Sequence, residues 1–137
     1  MHQIFLIQLV ASAFMTGFVW FAQIIHYPLL LKVDSGSFSE YQKENLFRSA
    51  SVAIPMMCLE GVTAFWLVYS VASTSLVVNF ALLVLIWIST LLLEGPTHLS
   101  LLKKFNRELV LHLIKFNWIR TILWTVRMIL LLIVLVV

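Results

Sequence analysis

Asn117, Arg120, Trp124 and Arg127 recur at i, i+3, i+7 and i+10 within an otherwise apolar stretch, so on an α-helix they form one polar stripe. A charged side chain in the middle of a membrane-spanning helix costs about 3 kcal/mol on insertion scales, and it normally faces the protein interior and has a partner. Glu60 is the natural counter-ion, a carboxylate in the middle of the second apolar run. Gln23 and Tyr27, at i and i+4, mark a second polar face on the first run. Two arginines against one mid-span carboxylate predict a net positive cavity, suited to a phenolate-like anion, a quinone carbonyl or a lipid head group. His26 and His98 stand at matching ends of the first and third runs. Either could act as a base while Arg120 and Arg127 stabilise a phenolate. The candidate catalytic residues are thus His26, His98, Arg120 and Arg127. The candidate ligand-binding set is Gln23, His26, Glu60, His98, Asn117, Arg120, Trp124 and Arg127.

No cofactor is specified by the sequence. His26 and His98 are the pair that could hold haem or a metal, but the Glu-x-x-His repeat of di-iron bundles is absent, and no metal site is assigned. The single Cys58 excludes an internal disulfide and a Cys-based zinc site.

The elements that must position these residues follow from composition. The 137 residues are 62% hydrophobic and 11% charged, with a mean hydropathy of +1.04, which marks an integral membrane protein. Apolar runs at about 4–31, 51–70, 75–94 and 109–136 each reach the length of roughly 20 residues that a helix needs to cross the hydrocarbon core. The connections are short, so successive helices are antiparallel neighbours. The expected fold is an all-α transmembrane four-helix bundle, one domain over 1–137. Between the first two runs, Asp34-Ser35-Gly36 is a turn signal and Ser37 with Glu40 matches a capping box. Phe38, Tyr41 and Leu46 oppose Lys43, Glu44 and Arg48, which predicts a short amphipathic helix at the membrane interface before the second span. Gly95-Pro96 predicts a break or bend at the end of the third.

Lys32, Lys43 and Arg48 lie in the first connection, and Lys103, Lys104, Arg107 and Lys115 in or beside the third. The positive-inside rule then puts both connections in the cytoplasm and both termini on the non-cytoplasmic side of the inner membrane, multi-pass. The first run reads as an uncleaved helix, not a signal peptide. Splitting the basic residues between two loops argues against nucleic acid as a partner. Membrane lipids and a small lipophilic molecule are the expected partners, and a homo-oligomer is compatible with the chain.

The run Trp20-x-x-Gln23-x-x-His26-Tyr27-Pro28, the later Pro96-Thr97-His98, and Asn117-Trp118-Ile119-Arg120-Thr121 with Trp124 and Arg127 resemble small bacterial four-helix membrane proteins of unassigned function. More distantly, the chain is similar to the anthrone-oxygenase-like membrane family. There a Pro ends the first span, Pro-x-Asn follows the third, and Asn-x-x-Arg-Thr opens the fourth. Fungal members are implicated in oxidising anthrones to anthraquinones without an obvious cofactor, so the resemblance implies a phenolic or quinone-like substrate. His98 stands where that pattern has Asn, and a His near Asn45 in the bacterial group is missing here. Three functions are therefore expected in competition. The first is a buried Arg/Glu/His/Asn cavity binding a small lipophilic, polar-headed ligand. The others are a membrane oxygenase or oxidoreductase on a phenolic or quinone-like substrate, and a non-catalytic structural subunit.

Overall fold

A computed structural model describes residues 1–136 and is all-helical, with four long helices that are each long and apolar enough to cross a membrane. These are α1 (His2–Leu30), α2 (Phe38–Val71), α3 (Thr74–Leu101) and α4 (Arg107–Val136). They form a square in which α1 and α3 each pack against both α2 and α4. Among the described residues the diagonal pairs, α1 with α3 and α2 with α4, make no close backbone approach. Only side chains meet across the axis.

The exterior is apolar and the interior is partly polar. Phe65, Tyr69, Leu91 and Leu92 are exposed, while Gln8, Ser12, Glu60, Asn79, Asn117 and Arg127 are buried. Three apolar clusters sit between the polar layers. Tyr27, Leu30, Phe38, Leu101 and Leu113 pack near the basic connections, Met15, Val19, Ile86 and Trp124 at mid-height, and Leu67, Leu76 and Leu131 at the other end. The two basic connections meet at one end of the square. There the Phe38 and Phe105 rings lie 4.9 Å apart and Ser39 Oγ donates to the Lys103 carbonyl at 3.3 Å.

Neither proline-containing end of α1 or α3 breaks its helix. Each is absorbed by a π-turn, Ala22–His26 before Pro28 and Thr90–Glu94 before Pro96. The extra residue lets Tyr27 N–H reach the Ala22 carbonyl and Gly95 N–H reach that of Thr90. A proline ring clashes with the carbonyl four residues back, and a π adjustment is the usual way to keep the freed groups bonded in apolar surroundings. The expected break at Gly95-Pro96 is therefore replaced by a local widening.

The expected interfacial helix is not a separate element. Its residues are the first turns of α2, which continues unbroken through Pro55. Ser37 does occupy the N-cap, but its φ/ψ of −103°/−1° is not the extended conformation a capping side chain needs, and it makes no cap bond. Its hydroxyl instead donates to the Asp34 carbonyl at 3.4 Å. At the far end, α2 and α3 are joined by Ala72 in a left-handed conformation (φ 49°) and by Ser73, whose hydroxyl caps Leu76 N–H at 3.3 Å.

Gly61 sets the spacing of α2 and α3, because a Cβ there would lie 2.6 Å from Cη2 of the rigid Trp87 indole. Gly61→Ala is expected to destabilise the fold by about 1–3 kcal/mol through overpacking. Thermal unfolding in mild detergent checks this, and an unchanged midpoint would mean that Trp87 can rotate away.

Candidate functional site

The eight residues singled out by the sequence separate into two polar groups and a clasp between helices, with His26 beside them. The first group is a closed lock on the bundle axis. Arg127 Nη1 on α4 donates to Glu60 Oε1 on α2 at 2.8 Å, with both side chains wholly buried. Trp124 Nε1 donates to the other carboxylate oxygen at 2.9 Å. Arg127 Nε donates to the carbonyl and side-chain oxygens of Asn79 on α3 at 3.2 and 3.3 Å. Asn79 Nδ2 returns a bond to the Arg127 carbonyl at 2.9 Å. Charge-assisted bonds are worth more than neutral ones where water is excluded, so this lock ties three helices together.

A smaller clasp ties α1 to α4. Asn117 Nδ2 donates to Gln23 Oε1 at 2.9 Å, and Gln23 Nε2 donates to the Ile114 carbonyl at 3.1 Å. Thr16 Oγ1 donates to the Trp124 carbonyl at 3.2 Å, and Trp20 Nε1 to Thr125 Oγ1 at 3.0 Å. Gln23 and Asn117 bond to one another, with Asn117 Oδ1 left without a partner, and neither lines the cavity between α2 and α3.

The second group surrounds space. A cavity of about 320 Å³ lies between α2 and α3, with Arg120, Glu94, Tyr27 and His98 as its polar side chains together with Ser49 and Thr90. Arg120 Cζ lies 5.3 Å from the Trp124 ring centroid, and Nε has no hydrogen-bond partner. Glu94 is 1% exposed, and its two carboxylate oxygens share the Ser89 hydroxyl at 3.2 Å. Among the described residues Arg120 forms no ion pair. The expectation of a net positive cavity is corrected here. Glu60 is taken by Arg127, and Glu94, which lines the same cavity as Arg120, supplies the second carboxylate, so the formal charges balance.

His98 is held on both sides. Gln42 Nε2 donates to its Nδ1 at 3.0 Å, and its Nε2 lies 3.3 Å from Tyr27 Oη, across the α1–α3 diagonal. His26 does not line the cavity. It borders an adjoining space of about 40 Å³, which shares Phe18, Tyr27, Leu46, Ser49 and His98 with the cavity lining, and its Nε2 has no partner. The reason is helical phase. Gln8 faces the axis, and eighteen residues, about five turns of unbroken α-helix, would return residue 26 to the same face. The extra residue of the π-turn gives that place to Tyr27, which is buried while His26 is only half-buried.

Arg127 likewise lies outside the cavity lining, so its expected place beside Arg120 on a ligand is replaced by the lock. Among the described residues no three His, Cys, Asp or Glu side chains gather as a metal site. Both ring nitrogens of His98 are engaged by protein groups, so the two residues that could hold haem or a metal, His26 and His98, have no free ligand atom on His98. Asn79, Gln42 and the Gln8–Thr63 bond were not singled out from the sequence. Each is a lone polar residue whose partner is on another helix, and helix rotation alone reveals it. No protein-family model, curated protein or solved structure matches this chain.

The lock predicts a coupled mutational response. Glu60→Gln and Arg127→Leu should each destabilise by about 3–5 kcal/mol, because each strands a buried group of the other partner. The double variant should cost clearly less than the sum. Unfolding midpoints of the three proteins in one detergent measure the coupling, and simple additivity would remove the lock from the account.

Proposed function

We propose that this chain is a multi-pass protein of the inner membrane that binds a small lipophilic molecule by its polar head in the cavity between α2 and α3. The observation that carries the reading is Arg120: an arginine only 6% exposed that lines the cavity and makes no salt bridge. An unmet charged donor in low dielectric is costly, and an acceptor oxygen on a ligand would offset that cost. Ile54 and Leu99, on the two helices flanking the cavity, are 57% and 59% exposed, so a molecule could enter sideways from lipid. Ile54, Met57 and Thr90 also line an adjoining, almost wholly apolar groove of about 230 Å³ with Cys58, Trp87 and Leu91, suited to a hydrocarbon tail.

Binding is favoured over oxidoreductase chemistry by the two histidines. The Nδ1 lone pair of His98 already accepts from Gln42, which removes it as the base, and His26 lines only the small adjoining space and not the main cavity. The quinone-like substrate suggested by the anthrone-oxygenase-like resemblance remains compatible as a ligand. The lock supports the structural reading for Glu60 and Arg127 alone.

For orientation we infer that the end carrying both basic connections is cytoplasmic, both termini are opposite, and the first turns of α2 lie at the interface. Reporter fusions at residue 36 and at the C-terminus are expected to give cytoplasmic and non-cytoplasmic signals respectively; the reverse pattern would overturn the orientation. For binding, mass spectrometry of extracts from protein in mild detergent should reveal a lipophilic molecule with the wild type. It should be depleted about tenfold or more in Arg120→Gln, which removes the charged donor, and in Ala53→Trp, which fills the cavity. An identical complement of extracted molecules from all three proteins would overturn the reading.

A further inference from the structure

The hydrogen bonds behind the cavity run in one direction. Ser49 Oγ donates to Asn45 Oδ1 at 3.2 Å, which turns the Asn45 amide so that its Nδ2 donates to Gln42 Oε1 at 3.1 Å. With its oxygen thus used, Gln42 presents its Nε2 to His98 Nδ1 at 3.0 Å. An amide nitrogen only donates, so Nδ1 must be the accepting nitrogen of the imidazole and Nε2 carries the proton. That N–H then points at Tyr27 Oη, 3.3 Å away. Tyr27 accepts it. Among the described residues its own hydroxyl proton has no acceptor, and Tyr27 lines the cavity.

We propose that Tyr27 is a fixed hydrogen-bond donor in this cavity, and that the head it selects is an uncharged ketone-type carbonyl such as a quinone carries. This rests on the binding reading above and names its ligand class. Two donors, Tyr27 and Arg120, address the cavity, while Glu94 balances the arginine's formal charge. A carboxylate or phosphate head would add a net negative charge to a site whose charges already cancel, in surroundings where an uncompensated charge is expensive. A carbonyl oxygen takes both donors and adds none. Gln42 and His98 are positioning residues: they hold the Tyr27 proton toward the ligand and touch no ligand themselves through the atoms of the relay.

The test uses the full chain in mild detergent with two probes of equal tail length. One is 2-decyl-1,4-naphthoquinone carrying ¹³C at its carbonyls, and the other is 6-decyl-2-naphthoic acid, which is ionised to a carboxylate at neutral pH. Binding is read by tryptophan quenching and competition, and the labelled carbonyl band by infrared difference spectroscopy. The quinone is expected to bind about tenfold more tightly than the carboxylate, and Tyr27→Phe to weaken it by about tenfold. The carbonyl band should move to lower wavenumber on binding and recover part of that shift in Tyr27→Phe. Preference for the carboxylate, or a Tyr27→Phe protein with wild-type affinity and band position, overturns the proposal. Binding of either probe that Arg120→Gln abolishes would then still uphold the cavity, whereas no binding of either probe overturns both readings. If Tyr27→Phe does not fold, the wild type decides, since an unshifted band or carboxylate preference is fatal.

Discussion

The ion pair between Glu60 and Arg127 crosses the diagonal of the square, from α2 to α4, and the positions of the other polar groups follow from it. Neither helix backbone approaches the other, so the pair has no help from backbone packing and depends on both side chains reaching the axis at one height. That requirement fixes the rotation and the axial register of two helices at once. Asn79 adds a third, because its bonds to Arg127 run both through its backbone carbonyl and through its side chain. Buried ion pairs are weak sources of net stability but penalise every arrangement that separates the partners. In a bundle whose exterior and much of whose interior are apolar, such penalties specify register where hydrophobic packing discriminates poorly.

With α4 held this way, the remaining stripe residues have determined directions. Two turns from Arg127, Arg120 falls against the Trp124 ring and looks into the space between α2 and α3. That space lies level with the paired π-turns. Thr90 and Glu94, the first and last residues of the α3 turn, line it, and Tyr27 enters it directly after the α1 turn. The same device, a five-residue π-turn ending two positions before a proline, thus occurs in both helices that lead toward the basic end. Each turn keeps its helix intact where a proline would otherwise leave carbonyls unbonded, and each resets the facing of the residues beyond it.

Much of this plan was legible in the chain. Four helices, the burial of Arg120 and Arg127, and Glu60 as a counter-ion follow from the cost of charge in apolar stretches, which holds whatever the packing. Assigning Glu60 to Arg127 and not to Arg120 does not follow, since both arginines share a stripe and only the tilt and rotation of α2 choose between them. Gln23 and Asn117 were recognisable as buried polar residues, but that they would bond to each other was hidden in the relative height of α1 and α4. His26 was placed with the site by its position at the end of the first span, and the extra residue of the π-turn brings Tyr27 to the cavity lining while His26 lines the adjoining space. The capping-box signature at Ser37 and Glu40 was also misleading, since a preceding turn already used the serine hydroxyl and held its backbone out of the extended region.

The two arginines show how one sequence feature can serve opposite purposes. Arg127 meets Glu60 and Asn79 within the protein and lines neither the cavity nor the apolar groove beside it, so it acts on arrangement. Arg120 has its balancing carboxylate in the same cavity without a direct pair, and Glu94 is occupied with Ser89 instead. A bundle optimised only for stability would close that gap, because pairing the two charges directly would relieve the unmet Nε donor. Keeping them apart leaves a site of zero formal charge that still offers strong donors, and a neutral acceptor could engage it without importing a counter-charge. The two arginines thus stand in different surroundings, Arg127 bound to Glu60 and Asn79 with only its Nη2 left over, and Arg120 beside a cavity with no salt bridge.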